Sequence, residues 1–468
     1  LLIKRLLLLS LILFGSISDD NKKVAFYINQ LDRIKNTGTL TVLTRYDQST
    51  YYENADGFSG LEYDLVMLFA KHLDVKVKFT LPDTFHDILN QTEKGGFADF
   101  SAAGITITQD RNERLLFSPA YQKITEQVIY RSGTKRPKKP DDLTKGILEI
   151  VQGTSHNESL LLLKEESPQL TWLINSELET DGLLYLLNER LIDYTIADSH
   201  QINLLRRFYP KLFIAFDISP PRRLAWAFRK TSDLSLYNEV TSFFKTISQN
   251  KTLDQLLERH YGHTHHVSYV DTCTFKRHTS SRLPLYQNLF KKIAKKYHLD
   301  WRLLAAISYQ ESHWNKHAVS PTGVRGLMML TQSTAKGLGI KNRTDPRQSI
   351  EGGAKYFKQR IKKFPIRIPE PDRTWLALAS YNVGFGHVND ARILAQRLGK
   401  NPDKWLDVKQ VLPLLSQKKW YSQTRHGYAR GKEPVIYVTN IRSYYDLLIW
   451  KTTNKQLTEE SAMPLMQK

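Results

Sequence analysis

Short β-branched runs alternate with stretches of helical spacing from Gly38 to about Arg131. Thr39-Leu40-Thr41-Val42-Leu43-Thr44, introduced by Gly38, predicts a strand. Gly60 to Leu73 sets apolar residues three and four apart, as one face of a helix does. Val75-Lys76-Val77-Lys78-Phe79 then returns to a period of two. After the stiff basic break Arg136-Pro137-Lys138-Lys139-Pro140 the alternation resumes, with strands expected at 147–151 and 191–198. Such alternation implies largely parallel sheets covered by helices. Two similar α/β halves joined by short crossings predict two lobes with a cleft between them.

Beyond Tyr261-Gly262 the rhythm changes. Residues 263–282 are polar and irregular and read as a linker. From Leu283 onward helices dominate. Leu285, Leu289, Ile293 and Tyr297 mark one stripe, Leu303, Ile307 and Glu311 the next, and Trp375 to Ala379 opens a further apolar helix. The fold class expected is α/β plus α: a two-lobed α/β domain followed by a mainly α-helical one. The divisions are an export signal at 1–18, a connector at 19–37, the two-lobed domain at 38–262, the linker at 263–282 and the helical domain at 283–468. At 468 residues the chain exceeds one ordinary core, in line with that division.

Composition adds a location and a kind of partner. Lys4-Arg5, the apolar run Leu6 to Phe14 and the small residues Gly15 to Ser18 read as a cleavable secretory signal. The run is about half of the ~20 residues a spanning helix needs. The only cysteine is Cys273, so no internal disulfide forms. A formal net charge of +20 favours a polyanionic neighbour: nucleic acid, an anionic membrane surface or an envelope polymer. No zinc-finger or RNA-binding signature accompanies it, so nucleic acid is not expected as a partner. His263, His265 and His266 lack acids or cysteines at ligand spacing; a solvated linker is expected there, with no metal and no cofactor.

Glu311 carries the chemistry. It ends a buried stripe, and no other Asp or Glu occurs between Ser312 and Thr344. Asp300 is the N-cap candidate of its helix. Leu303, Ile307 and Glu311 are four apart, so the acid projects from the buried side, where desolvation raises its pKa as a general acid requires. For an isolated Glu, an ordinary helix-end ion pair is by far the commoner arrangement.

The residues that follow decide between those readings. Glu311-Ser312, Gly323-Val324-Arg325-Gly326-Leu327-Met328-Met329-Leu330, Ser380-Tyr381-Asn382-Val383-Gly384 and Tyr437-Val438-Thr439-Asn440-Ile441 stand in the order and approximate spacing of soluble-type lytic transglycosylase domains. The resemblance spans roughly Leu283 to Trp450. It implies a lysozyme-like helical fold that cleaves the glycan of peptidoglycan without water, with Glu311 as acid and then base. It further implies that Ser312 positions substrate, that Tyr437 tunes the acid's proton and that Tyr381 and Asn382 line the sugar groove. Tyr381 and Tyr437 fit equally as core aromatics with satisfied hydroxyls, and Asn382 as a turn former. Two departures stand out: many relatives have Gln where Met329 stands and Ala where Ser380 stands.

The front region resembles the extracellular solute-binding proteins of polar amino-acid uptake. The resemblance rests on Gly60 to Leu65, Ala103 to Thr108, Arg111, Phe117-Ser118, Gln152-Gly153-Thr154 and Ile192 to Asp198. It implies a periplasmic-binding-protein-like fold in which Arg111 forks onto a ligand carboxylate, Thr106 and Thr154 cap it and Asp198 holds an ammonium. Arg111 as a helix cap or surface partner, and Asp198 as a strand-end turn, fit the same residues. The two resemblances in this order, behind an export signal, look like a two-domain envelope enzyme. They imply peptidoglycan glycan strands as substrate, an amino acid or muropeptide as sensor ligand and peripheral attachment to the outer membrane. A receptor that only grips glycan, and a true hydrolase with a second carboxylate, are the other classes open at this stage.

Overall fold

Gly38, at φ 64°, ends the helix Gln30–Thr37 and turns the chain into the strand Thr39–Leu43. That left-handed conformation costs glycine least. The structure, a computed structural model, describes residues 28–54, 57–264, 269–320 and 323–462. The export signal expected at 1–18 lies outside the described residues, as do His265 and His266. The connector expected at 19–37 is in part a folded element, since Ile34 is fully buried in the core of the first lobe.

In the first lobe the strands Lys76–Thr80, Thr39–Leu43 and Phe100–Thr106 lie side by side and parallel. Arg222–Arg229 then pairs antiparallel with Phe100–Thr106 and with Leu115–Phe117. In the second lobe Leu173–Asn175, Leu148–Val151 and Tyr194–Asp198 are parallel. Glu126–Arg131 and Leu212–Asp217 complete that sheet in the antiparallel sense. The chain thus enters the second lobe between Ile124 and Glu126 and leaves it between Asp217 and Arg222. The lobes are therefore not consecutive halves. The basic break at 136–140 leads into a 3-10 turn, Pro140–Lys145, inside the second lobe, and the strand expected at 191–198 begins only at Tyr194.

Residues 263–282 correct a second expectation. Instead of an irregular linker they contain the helix Tyr269–Ser281. Phe275, 1% exposed, packs on Tyr309 and Tyr444 with ring centroids 4.6 and 4.9 Å away. The polar spacing hid this helix because its buried positions include Thr272, His278 and Thr279. His278 Nδ1 lies 3.1 Å from the Tyr309 hydroxyl, and Lys451 Nζ donates to Thr279 Oγ1 at 2.8 Å. His263 is likewise buried and not solvated, with Nε2 2.5 Å from Asp446 Oδ2.

The helical domain packs Trp301–Ser312 and Asp372–Val383 against the long C-terminal helix Lys432–Ala462. The first expected stripe is shifted. Phe290, Ile293 and Ala294 of the helix Gln287–Tyr297 are buried, whereas Leu285 is 69% exposed on the preceding turn. One apolar cluster runs from Leu187 and Phe208 of the second lobe through Phe275 to Ile307 and Trp314. The second lobe and the helical domain share a core.

Candidate active site and sensor cleft

Asp300 caps the helix Trp301–Ser312 as expected, accepting from Arg302 N and from the Tyr445 hydroxyl, each at 2.7 Å. Leu303 and Ile307 are buried and carry Glu311 to the same side, where it is half-buried. Tyr437, 5% exposed on the C-terminal helix, donates its hydroxyl to Glu311 Oε1 at 2.6 Å. Burial raises the Glu311 carboxyl to about 7 against the opposing pull of the Tyr437 hydrogen bond. Burial and the charge of Glu311 hold the Tyr437 hydroxyl well above its ordinary range, so it stays a neutral donor. Among the described residues no carboxylate charge acts on Glu311. A carboxylate close by would raise it through like charge. Among the described residues the pair amounts to a solitary acid with its proton affinity raised to near neutral pH and held by one phenol.

The glycine-bearing loop is fastened to the acid's helix through its carbonyls. Ser308 Oγ and Ser312 Oγ donate to Leu327 O at 3.0 and 2.9 Å, and the Tyr381 hydroxyl donates to Met328 O at 3.0 Å. Ser312 also reaches Ser308 O at 3.1 Å. Its hydroxyl proton is therefore engaged with the main chain, which makes Ser312 a loop anchor. Tyr381 is buried, with its ring nearly parallel to Tyr437 at 6.4 Å, and Asn382 is exposed near the end of the same helix. Gly326 sits at φ 88°, where an added Cβ would lie 1.9 Å from Arg343 O. Met329 takes φ 45°, and Ser380 buries a hydroxyl that has no hydrogen-bond partner among the described residues.

Two residues unremarked in the sequence stand directly behind the acid. His313 and Trp314 have φ 50° and 54°, uncommon for side chains of that bulk. Each such residue costs about 1–3 kcal/mol of local strain. Trp314 is held by its indole N–H on Ala305 O at 2.9 Å and by the Tyr309 ring at 4.6 Å. Nothing in the residue pattern signals this turn.

The residues expected to hold a ligand in the front domain lie together at one cleft. Thr106 ends the strand Phe100–Thr106, Asp198 ends Tyr194–Asp198 and Thr154 precedes the helix Ser155–Glu166. These are carboxyl ends of strands, where α/β sheets bind ligands. With Arg111 they line a residual cavity of about 10 Å³. That is room for about one water, so an amino acid enters only if the lobes part. Arg111 is buried, donating to Thr106 O at 3.1 Å and, across the cleft, to Gly153 O at 2.9 Å. Its Nε lies 3.4 Å from Glu158. Thr154 donates its hydroxyl to Val151 O at 2.8 Å. Burial pushes Asp198 up, but His156, 3.0 Å away, and the charges of His200 and Arg45 outweigh it and hold the carboxyl below its ordinary value.

Sequence reasoning missed Arg45, which bridges the lobes to Glu179 at 3.4 Å and stacks on Phe85 at 4.8 Å. A cation directly after a strand's carboxyl end was the available signal. Glu126, His156 and Asp198 bring potential ligand atoms within 4.8 Å of one another. Ser155, Ser159 and Arg222 already hold the Glu126 carboxylate, and Arg45 and Arg111 add positive charge around Asp198. The cluster is an ion-pair network ill suited to a cation.

Two family models match the chain: Bacterial extracellular solute-binding proteins, family 3, over residues 25–263, and Transglycosylase SLT domain over residues 288–404. Membrane-bound lytic murein transglycosylase F 1 of Alkalilimnicola ehrlichii is 47% identical over 422 residues, 90% of this chain and 85% of that protein. Membrane-bound lytic murein transglycosylase F of Pseudomonas syringae pv. syringae shows the same identity and coverage, 47% over 422 residues. Among solved structures, a cysteine-binding protein from Campylobacter jejuni is 19% identical with a TM-score of 0.46, covering 52% of this chain and 98% of that one. An ancestral arginine-binding protein bound to arginine is 21% identical with a TM-score of 0.44, covering 48% and 98%. The chain belongs to the membrane-bound lytic murein transglycosylase F family, peptidoglycan lytic transglycosylases in which a solute-binding-protein-like domain precedes a helical catalytic domain.

Proposed function

We propose that Glu311 is the general acid and then the general base of this lytic transglycosylase. As the acid it protonates the oxygen joining N-acetylmuramic acid to N-acetylglucosamine, and the glycosidic bond breaks. As the resulting carboxylate it takes the proton of the muramyl C6 hydroxyl, whose oxygen closes onto C1 to give a 1,6-anhydromuramyl end. Atoms balance without water, and Glu311 returns to its protonated state. Ordinary glycosidases need a second carboxylate as nucleophile or base. Here the substrate supplies its own nucleophile, and intramolecular orientation is worth about 7–11 kcal/mol. The observation that carries this reading is a lone half-buried Glu311 raised to about 7 and bonded to Tyr437. Tyr437 orients and tunes the acid, Ser312 and Tyr381 hold the loop that shapes the groove, and Asn382 faces the sugar.

The front domain, in the same reading, takes an amino acid or a wall-derived peptide, with Arg111 on its carboxylate, Thr106 and Thr154 beside it and Asp198 on its ammonium. The lobes part to admit the ligand and close on it, which alters access to Glu311 and requires the ligand to favour one domain arrangement. The enzyme works at the periplasmic face of the outer membrane as a peripheral protein. Digestion of purified sacculi with mass analysis of the muropeptides tests the chemistry. Anhydro ends support it, reducing ends make the protein a hydrolase, and no release makes it a glycan-gripping receptor.

A further inference from the structure

The helix Gln287–Tyr297 carries Lys291, Lys292, Lys295 and Lys296 on its outward arc and no acid. Its inward arc buries Phe290, Ile293 and Ala294. Lys296 pairs with Glu351 of the neighbouring helix Pro346–Lys363, and Arg347 of that helix adds positive charge beside it. Apolar groups flank the lysines at both ends. Leu285 is 69% exposed on the turn before the helix, and the half-buried Trp301 ring lies 5.4 Å from Lys291 Nζ. Among the described residues no helix is long and apolar enough to cross a membrane.

We propose that this face docks the enzyme on an anionic phospholipid surface, the lysines meeting headgroup phosphates while Leu285 and Trp301 enter the acyl boundary. The proposal rests on the envelope location given above. Lysine stems lie along an interface while their heads stay hydrated, and aromatic rings with a polar edge favour the same depth. Peripheral attachment of this kind combines buried apolar area with attraction to anionic lipid. A hydrated glycan strand offers the lysines stem carboxylates but gives Leu285 nothing to enter, so lipid is the better fit.

Co-sedimentation of the full chain with phosphatidylglycerol–phosphatidylethanolamine vesicles, and with pure phosphatidylcholine vesicles, tests this. Each unpaired lysine near an anionic surface is worth roughly fivefold in partitioning. The variant Lys291→Gln/Lys292→Gln/Lys295→Gln is therefore expected to bind anionic vesicles roughly a hundredfold more weakly at low salt. Leu285→Ser weakens the binding that survives high salt. The charge-matched set Lys71→Gln/Lys76→Gln/Lys78→Gln, exposed on the first lobe, binds as wild type. Undiminished vesicle binding by the helix variant overturns the proposal, as does an equal loss in the first-lobe set. Loss of sacculus binding with vesicle binding intact also overturns it, in favour of a wall polymer. All of these lysines are exposed, so anhydro-product release by the helix variant stays at the wild-type rate. Failure of the wild type to make anhydro ends would refute the catalytic reading and leave the docking result standing.

Discussion

Glu311 holds its proton because folding removes it from water, and that has a measurable cost. Its pKa rises from 4.5 to about 7, so the folded state binds the proton more tightly than the unfolded chain. The associated stability is fully present below about 4.5 and is lost as pH rises through about 7. Glu311→Gln keeps an acceptor for Tyr437 and removes the charge. It is expected to gain up to roughly 3 kcal/mol at pH 8 and nothing at pH 4, read by denaturant melts at both values. Tyr437→Phe removes the bond that lowers the Glu311 pKa, so the alkaline limb of the kcat/KM profile moves to higher pH. An unmoved limb would mean that the phenol does not tune the acid. Ser380→Ala deletes an unpartnered buried hydroxyl and is expected to stabilise by about 1 kcal/mol or be neutral. The direction of Glu311 was legible from spacing, since Leu303 and Ile307 fix it, but its choice as the acid rested on the motifs that follow it. Tyr437, 126 residues away, was legible only through family resemblance.

At the scale of elements, the sequence patterns succeeded for several elements whose burial is apolar, though the stripe expected from Leu285 was shifted. The strand Thr39–Leu43 and the helices Leu61–Leu73, Trp301–Ser312 and Asp372–Val383 lie where periodicity put them. The bridging helix Tyr269–Ser281 was not legible, because hydrogen bonds from Tyr309 and Lys451 let polar residues be buried on it. The return of Arg222–Arg229 to the first lobe was not legible either, since strand pairing between distant segments leaves no local mark. The loop after the acid carries its own prediction. Gly326→Ala meets Arg343 O and an unfavourable φ, and the backbone strain alone costs about 1–3 kcal/mol. Because Leu327 O and Met328 O anchor Ser312 and Tyr381, turnover on sacculi is expected to fall with Glu311 untouched. A variant with wild-type turnover and melting would show that the loop tolerates the shift.

Across the whole molecule, the second lobe and the catalytic domain are joined more closely than two domains on a linker. Their shared core is reinforced by Arg207 Nη1 on Asp446 Oδ2 at 2.6 Å, while Arg442 on Glu258 at 2.9 Å joins the helical domain to the helix Thr252–Tyr261, which packs on the first-lobe core. Arg45–Glu179 and Arg111–Gly153 tie the first lobe across the cleft. Ligand entry is thus expected to move the lobes against one another, with the helical domain coupled to both, through the shared core and through Glu258. Phe275→Leu, which loosens the bridging helix at modest volume change, should leave ligand affinity intact and weaken the effect of ligand on turnover. Titration of amino acids and short peptides, with scattering to follow domain arrangement, checks this; if neither turnover nor arrangement responds in the wild type, gating is excluded. The most direct measurement for the central claim is the mass spectrum of muropeptides released from purified sacculi by wild type and by Glu311→Gln. Release of 1,6-anhydromuramyl ends by the wild type and none by the folded variant is the predicted result. Reducing ends from the wild type, or anhydro ends from the variant, would contradict it.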